Sequence, residues 1–444
     1  MALSGLDIYK LLRKTNCKEC GYATCLAFAM ALAQKRTSLD KCPHVTAQAK
    51  DALESASQPP IKLVTIGTGE GRIEIGNETV MFRHEQKFHH QAAIGFLLED
   101  TLPDQDIEKA VSRINELHFE RVGQTIGVNL ICVKNSSNKA DRFAGVVKKI
   151  ASGTKLNLAL YSGDTGTSRE AVKVSKDRRP LLISADGSSN DGFIALAKEV
   201  SLPLALTCQG PEEAALLTDK AKQSGVEEIV INLKGKSLSG RIQDFTFMRR
   251  GALKKNFRAF GYPSMVFTES EAPEMELTEA VSYILKYAGI VIIKNTDKEF
   301  VYPLIVARQD IYQDPQKPVQ VQPKVYEIGK VTDQSPVIVT TNFSITYFTV
   351  AGEVEASKVP SYILSCDAEG MSVLTAWAAE KFTAEKIADS LKNSGIEKMV
   401  SHKRVIIPGY VSVLSGKLEE LSGWKVLVGP REASGLTNYL RNLK

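Results

Sequence analysis

From about residue 90 the chain alternates short, continuously apolar runs with longer stretches of helical period. The apolar runs are 92–98, 125–133, 156–161, 180–184, 203–207, 228–233, 264–268 and 290–293. Helical patterns at 107–117, 140–150, 211–223, 238–254 and 276–287 lie between them. Strands that are apolar throughout are buried on both faces, as in parallel sheets. Eight such units in a row predict a (β/α)8 TIM-type barrel. A doubly wound sheet is the alternative, because periodicity does not report closure.

The flanks of this array read differently. Residues 1–57 hold two short helical patterns, 6–13 and 23–36, with few large apolar residues, and Gln58-Pro59-Pro60 marks a boundary. A unit so small needs a staple to fold. Strands at 62–66 and 72–75 follow, separated by Gly67-Thr68-Gly69-Glu70-Gly71. A dinucleotide-type glycine loop opens a helix; this one opens a second strand and reads as a hairpin turn. A proline-punctuated linker runs from Asp314-Pro315 to Gln322-Pro323. Beyond it, strands at 337–340, 362–366, 405–407 and 425–428 alternate with helices at 372–381, 384–393, 411–421 and 432–441. The expected organisation is α/β: a small N-terminal unit over 1–57, a barrel with an N-terminal hairpin over 58–315, and a Rossmann-like α/β domain over 325–444. Domains of the last kind bind ligands at the carboxyl ends of their strands.

Composition narrows the class without naming a function. The 444 residues are 43% hydrophobic and 24% charged, which excludes collagenous, disordered and disulfide-dense secreted chains. A net charge of +5 is too small to indicate nucleic acid. No apolar run approaches the ~18 residues of a membrane span, and the charged start lacks a signal-peptide core. A cytoplasmic protein with reduced thiols is expected, and there clustered cysteines bind metal. Four of the seven cysteines are clustered, as Cys17-x2-Cys20-x4-Cys25-x16-Cys42-Pro43. Zinc sites pair their ligands two and two. Three plus one, with proline after the last, resembles ferredoxin ligation of a [4Fe–4S] cluster. Structural zinc and unligated thiols are the alternatives. Gly21 permits close backbone approach, and Lys14, Lys18 and Lys41 suit an anionic centre.

The remaining candidates are weaker. Cys132, Cys208 and Cys366 lie in or at the ends of apolar strands and read as packing residues. His84, His89 and His90 miss the His-Glu-x-x-His spacing by one residue. They read as a polar approach to the barrel or as a partner-facing site. His118 and His402 read as structural or surface residues. Asp186, Glu269 and Asn295 stand near strand carboxyl ends, where barrel enzymes place their chemistry. None has the spacing of a named active site, and Asp186-Gly187-Ser188 is equally a helix cap.

Five segments together resemble one family. They are Cys17-x2-Cys20-Gly21-x3-Cys25, Thr340-Thr341-Asn342-Phe343-Ser344, Asp367-Ala368-Glu369-Gly370-Met371-Ser372-Val373-Leu374-Thr375, Ile407-Pro408-Gly409-Tyr410 and Val428-Gly429-Pro430-Arg431-Glu432-Ala433. The chain resembles, over essentially its whole length, the large (gamma) subunit of the corrinoid iron–sulfur protein. That protein belongs to the acetyl-CoA synthase/decarbonylase (reductive acetyl-CoA, Wood–Ljungdahl) system. The resemblance implies an N-terminal [4Fe–4S] domain, a barrel and a C-terminal corrinoid domain. It implies a component of a methyltransferase system, carrying a methyl group on Co(I) from methyltetrahydrofolate, via its methyltransferase, to acetyl-CoA synthase. The cluster would return Co(II) to Co(I) with an electron from a low-potential donor. A small barrel subunit would complete a heterodimer, with no nucleic-acid or membrane partner. No side chain of the chain itself is assigned as catalytic.

A corrin is a flat, mostly apolar macrocycle edged with amides, so it needs close backbone and small residues. The residues expected around it are Gly370, Met371, Ser372, Val373, Leu374 and Thr375 at one helix entrance, with Thr340 and Thr346 as hydroxyl donors. Gly409 with Tyr410, and Gly429 with Ala433, follow two further strands at the same sheet end. Ordinary βα turns and caps are the bland reading of the same residues. The Asp-x-His-x-x-Gly motif is missing, so no protein histidine is expected below cobalt, and the resemblance implies the base-off form. Cluster and corrin fall at opposite chain ends, so one end domain is expected to move or fold back. Two other functions compete. One is a barrel pterin methyltransferase with an iron–sulfur cluster and no corrinoid. The other is an iron–sulfur electron-transfer adaptor whose C-terminal unit binds a partner.

Overall fold

The computed structural model describes residues 5–33, 37, 39–46, 59–122, 124–235 and 237–443. The end of the helix expected to reach Arg36, and Gln58 of the expected boundary, lie outside these. In chain order the strands are β1 (Val64–Ile66), β2 (Ile73–Ile75), β3 (Ala93–Glu99), β4 (His118–Arg121), β5 (Gln124–Gly127), β6 (Leu130–Lys134), β7 (Asn157–Ser162), β8 (Leu181–Ser184), β9 (Leu204–Cys208), β10 (Ile229–Leu233), β11 (Ser264–Phe267), β12 (Ala288–Ile293), β13 (Val325–Ile328), β14 (Val337–Thr341), β15 (Ser361–Cys366), β16 (Arg404–Ile407) and β17 (Lys425–Val428). They fall into two compact units. The first runs to Met81 and takes in Phe88–Glu116 and Val128–Arg308; the second comprises Phe82–Lys87, Leu117–Gly127 and Gln309–Lys444.

In the first unit, helices Gly5–Leu11 and Cys25–Ala33 pack through Ile8, Leu12, Phe28 and Ala29. β3, β6, β7, β8, β9, β10, β11 and β12 then close into a barrel, every pair parallel. Closure removes the doubly wound alternative. Inward residues such as Leu130, Ala159, Ile183, Val230 and Ile290 fill the interior together with Val64, Ile66, Ile73 and Ile75 of the β1–β2 hairpin. The hairpin seals the amino-terminal ends of the strands: Gly67 N–H donates to the Arg179 carbonyl at 2.9 Å, and Asn157 Nδ2 donates to the Gly71 carbonyl at 2.8 Å. At Gly67, with φ +86°, a Cβ would lie 1.6 Å from Asn157 Oδ1, so the turn requires glycine.

Several elements differ from the sequence reading. The run 125–133 is two strands, β5 and β6. Asn129 breaks it: its Oδ1 accepts the Ile94 N–H at 3.1 Å and its backbone bonds the neighbouring barrel strands. Helix Thr165–Lys173 buries only four residues, two of them hydroxylic, so it shows no apolar stripe. Its cap is the readable signal, Asp164 accepting the Thr167 N–H at 2.6 Å. Helices Asn190–Val200 and Lys298–Ile311, the latter with Pro303 inside, also have no counterpart in the sequence pattern.

The second unit is a five-stranded sheet in the order β13-β15-β14-β16-β17, with β13 an unpredicted antiparallel edge. Apolar clusters cover both faces, one around Leu364, Phe382 and Trp424, the other around Ile363, Tyr347 and Leu436. The β4–β5 hairpin joins the second cluster through Val122, and Arg121 donates to Gln309 Oε1 at 2.6 Å. His118 is therefore a strand residue. Helix Ser344–Ser357 escapes the sequence pattern because its apolar residues run all round it: Tyr347 and Val354 are buried, Ile345 and Phe348 exposed. Predicted helix 372–381 is Val373–Ala378, 411–421 is a tight turn Gly409–Leu414 followed by helix Ser415–Ser422, and 432–441 is helix Leu436–Arg441. Among the described residues no helix is long and apolar enough to cross a membrane.

Candidate functional site

The chain leaves β14 for β15 on one side and returns to β16 on the other, so a switch point lies between β14 and β16. Open α/β sheets bind ligands at such points, at the strand carboxyl ends. A pocket of about 290 Å³ is found there. Ile338, Ile406 and Leu436 form an apolar depth, Thr340, Thr346 and Ser372 offer hydroxyls, and Tyr410, Arg431 and Glu432 add polar groups. Thr340 is 1% exposed and its hydroxyl has no hydrogen-bond partner. Ser365, opposite it in register on β15, is also buried with an unpartnered hydroxyl. A buried hydroxyl left so costs about 1–3 kcal/mol, which a polar ligand group would remove.

Local hydrogen bonds shape the pocket. Asn342 Oδ1 accepts the N–H groups of Ala368 and Gly370 at 2.9 and 3.0 Å, and its Nδ2 donates to Asp367 at 3.2 Å. The Thr340–Ser344 and Asp367–Thr375 segments thus form one structure. Gly370 has φ +73°, and a Cβ there would lie 2.6 Å from Gln320 Cγ. A Cβ on Gly409 would lie 2.6 Å from the Gly429 carbonyl, so glycine lets the ends of β16 and β17 meet. The Tyr410 hydroxyl donates to Glu432, and this carboxylate raises the phenol above its ordinary value.

The cysteine segment is built on alternating left-handed residues: Lys14, Asn16, Lys18 and Gly21 have φ of 59°, 50°, 65° and 84°. Such alternation makes backbone N–H concavities that favour anions, iron–sulfur centres included. Cys25 begins a helix; its N–H donates to Asn16 Oδ1 at 2.8 Å, and the Asn16 N–H donates to Cys25 Sγ at 3.3 Å. Cys20, Cys25 and Cys42 share one small apolar cluster. Cys17 Sγ stands with ligand atoms of Glu19 and His44, all within 4.8 Å of one another. All four thiols are free. Four free thiols in one short segment are soft donors of the kind an iron–sulfur centre takes.

The barrel candidates are occupied locally. Asp186 caps a turn, accepting from Ser188 Oγ at 2.6 Å, and these bonds hold its carboxyl below its ordinary range. Glu269 pairs with buried Arg241, and Asn295 Oδ1 accepts the Asp297 N–H at 2.8 Å. The His89 and His90 N–H groups donate to Glu78, which also pairs with Arg249 at 3.4 Å. His84 stacks on Phe82, and His402 Nε2 lies 3.0 Å from the Ser335 carbonyl. Cys132, Cys208 and Cys366 are buried in strands.

Comparisons with known proteins lead to one family of proteins. The family model CdhD, CO dehydrogenase/acetyl-CoA synthase delta subunit, matches residues 63–440, and the model FeS, for an Fe-S cluster, matches residues 12–44. The corrinoid/iron-sulfur protein large subunit of Moorella thermoacetica is 46% identical over 441 residues, covering 99% of each chain. The acetyl-CoA decarbonylase/synthase complex subunit gamma of Methanothermobacter thermautotrophicus is 35% identical, covering 100% of this chain and 99% of its own. The chain belongs to this corrinoid/iron–sulfur subunit family. Among solved structures, a Yersinia pestis dihydropteroate synthase with a pterine-sulfa conjugate covers 50% of this chain and 94% of its own, at 14% identity and TM-score 0.39.

Of the residues singled out from sequence in this family member, Thr340, Thr346, Ser372, Val373, Leu374, Tyr410, Gly429 and Ala433 line the pocket. Gly370, Met371, Thr375 and Gly409 are not among its lining residues. Gly370 and Gly409 shape its walls, Thr375 Oγ1 lies 3.0 Å from Ser372 Oγ, and Met371 packs on the core beneath. Sequence reasoning missed Ile338, Val350, Ile406 and Leu436, apolar residues with no chemical signal. It also passed over Arg431 and Glu432, which stood inside a quoted segment.

Proposed function

We propose that this chain is the methyl-carrying subunit of its system, with a corrinoid in the second unit and a [4Fe–4S] cluster on Cys17, Cys20, Cys25 and Cys42. The observation that carries the reading is the orphaned Thr340 hydroxyl, set in a pocket at the switch point of an α/β sheet. Bound there, a corrinoid supplies a cobalt that takes a methyl group originating on methyltetrahydrofolate and yields it to acetyl-CoA synthase, while the cluster supplies the electron that restores Co(I) from Co(II). Thr340, Thr346 and Ser372 would hydrogen-bond the polar edge of the ligand. Val373, Leu374, Gly429 and Ala433 would give it a small, apolar seat, with Gly370, Met371, Thr375, Gly409 and Tyr410 fixing the walls. Cobalt without a protein histidine ligand, and a base-off cofactor, are part of this reading.

The working divisions are 1–57 for the cluster, 58–315 for the barrel and 325–444 for the corrinoid. The partners are a small barrel subunit, a methyltetrahydrofolate methyltransferase, acetyl-CoA synthase and a low-potential electron donor, all in the cytoplasm. Anaerobic purification, elemental analysis and an absorption spectrum test this. About one cobalt and roughly four irons per chain are expected. Iron without cobalt would return the adaptor or the barrel pterin methyltransferase, and a colourless protein would remove the cluster as well.

A further inference from the structure

Asn16 is exposed, yet it contacts one proposed cluster ligand twice. We propose that Asn16 is a positioning residue that holds the Cys25 sulfur and raises the reduction potential of the centre bound there. This rests on the reading that Cys25 ligates an iron–sulfur cluster.

The two contacts are reciprocal. Cys25 is the first residue of helix Cys25–Ala33, and the first N–H groups of a helix have no partner within it. Asn16, nine positions upstream, accepts the Cys25 N–H through Oδ1 at 2.8 Å. That bond anchors Asn16, so its own N–H is held 3.3 Å from Cys25 Sγ. The geometry needs φ +50° at residue 16, a region that asparagine visits more readily than other residues with a Cβ. Asparagine therefore meets two demands at once, the left-handed backbone and the side-chain acceptor.

An N–H aimed at a ligating sulfur stabilises negative charge on it. Reduction adds negative charge to the centre, so the bond favours the reduced state. Cys25 is buried, whereas Cys17, Cys20 and Cys42 are half-exposed. Water can supply donors at those three. At Cys25 the donor comes from the chain, so its loss is not made good by solvent.

The test compares Asn16→Ala and Asn16→Ser in the intact, anaerobically purified protein. Iron and acid-labile sulfide are measured first, then the reduced signal by electron paramagnetic resonance during a potentiometric titration. At the wild-type midpoint, Asn16→Ala is expected to show a reduced-to-oxidised ratio at least threefold lower with its iron retained. Asn16→Ser keeps only a shorter side-chain acceptor and gives up asparagine's ease with the left-handed region, so it is expected to fall between Asn16→Ala and wild type. An unchanged ratio in Asn16→Ala, even with a lower melting temperature, would overturn the proposal, because a cap of purely structural value moves stability alone. Equal shifts in both variants would overturn it too. If Asn16→Ala loses its iron, the serine variant decides: retained iron with a lowered reduced-to-oxidised ratio supports the proposal, and a wild-type ratio or an equal loss of iron overturns it. Wild-type protein without iron or sulfide would fail the cluster reading itself, a separate result.

Discussion

At the scale of single residues, a stability effect and a binding effect of opposite sign expose a binding group. The Thr340 hydroxyl is buried and unpartnered. Thr340→Val should therefore raise the melting temperature of corrinoid-free protein, by about 1 kcal/mol of stability, and weaken corrinoid binding by about fivefold. Calorimetry and absorption titration read the two. A variant that lost stability and kept its affinity would remove Thr340 from the site. The thiols divide in a similar way. Burial pushes the Cys366 thiol up to about 12 and moves Cys132 in the same direction. At pH 8 a thiol at 12 is roughly 0.01% thiolate, the reactive form. Iron-free protein treated with iodoacetamide should thus alkylate at the half-exposed Cys17, Cys20 and Cys42 well before Cys132, Cys208 and Cys366 under native conditions, as peptide mapping would show. Fast labelling of Cys132 or Cys366 would contradict their burial. The cysteine division was legible because spacing is a chemical signal. The depth of the pocket was not, because Ile338 or Leu436 looks like any core residue until the sheet places it.

At the scale of elements, glycines separate packing from propensity. Gly409→Ala would drive a Cβ to 2.6 Å from the Gly429 carbonyl and 2.9 Å from the Arg431 N, both backbone atoms that cannot swing aside. The ends of β16 and β17 would part, costing about 1–3 kcal/mol and the pocket wall with it. Gly352 stands exposed inside helix Ser344–Ser357, and a methyl added there would meet nothing within 4 Å. Gly352→Ala should therefore stabilise by about 0.5–1 kcal/mol. Denaturant melts of both variants check the signs, and a neutral Gly409→Ala would show that the strand ends give way freely. The eight barrel strands were readable because each is apolar on both faces. Errors fell where an element lacks a one-sided pattern. Helix Ser344–Ser357 is apolar all round, and strand β5 merged with β6 because only Asn129 between them is polar. The antiparallel edge β13 is four residues long and half-buried, too short to show alternation.

At the scale of the whole molecule, the two proposed cofactors belong to separate compact units, the cysteines to the first and the pocket to the second. The pocket rests on apolar clusters made from the second unit, and the cysteine segment has its own small cluster of Ile8, Leu12 and Phe28. Substitutions at independent sites act nearly additively. Cys20→Ala should therefore unload the cluster and leave the pocket intact. Corrinoid content and affinity should match wild type, and so should single-turnover methyl transfer from chemically pre-reduced protein. After oxidation to the Co(II) state, reactivation by the low-potential donor should fall to background. Reactivation and transfer can be followed by absorption in the same sample, so a failure of one cannot be mistaken for a failure of the other. Loss of both, with both units still folded by circular dichroism, would mean that the cluster serves the transfer step or the shape of the pocket. In that case the division of labour drawn from chain order would be wrong. Loss of neither would make the cluster a structural staple of the first unit. The same experiment on Gly409→Ala should give the mirror result, with iron retained and corrinoid lost. Both variants need to behave as described for the two chemistries to be separate in structure and coupled only through the electron.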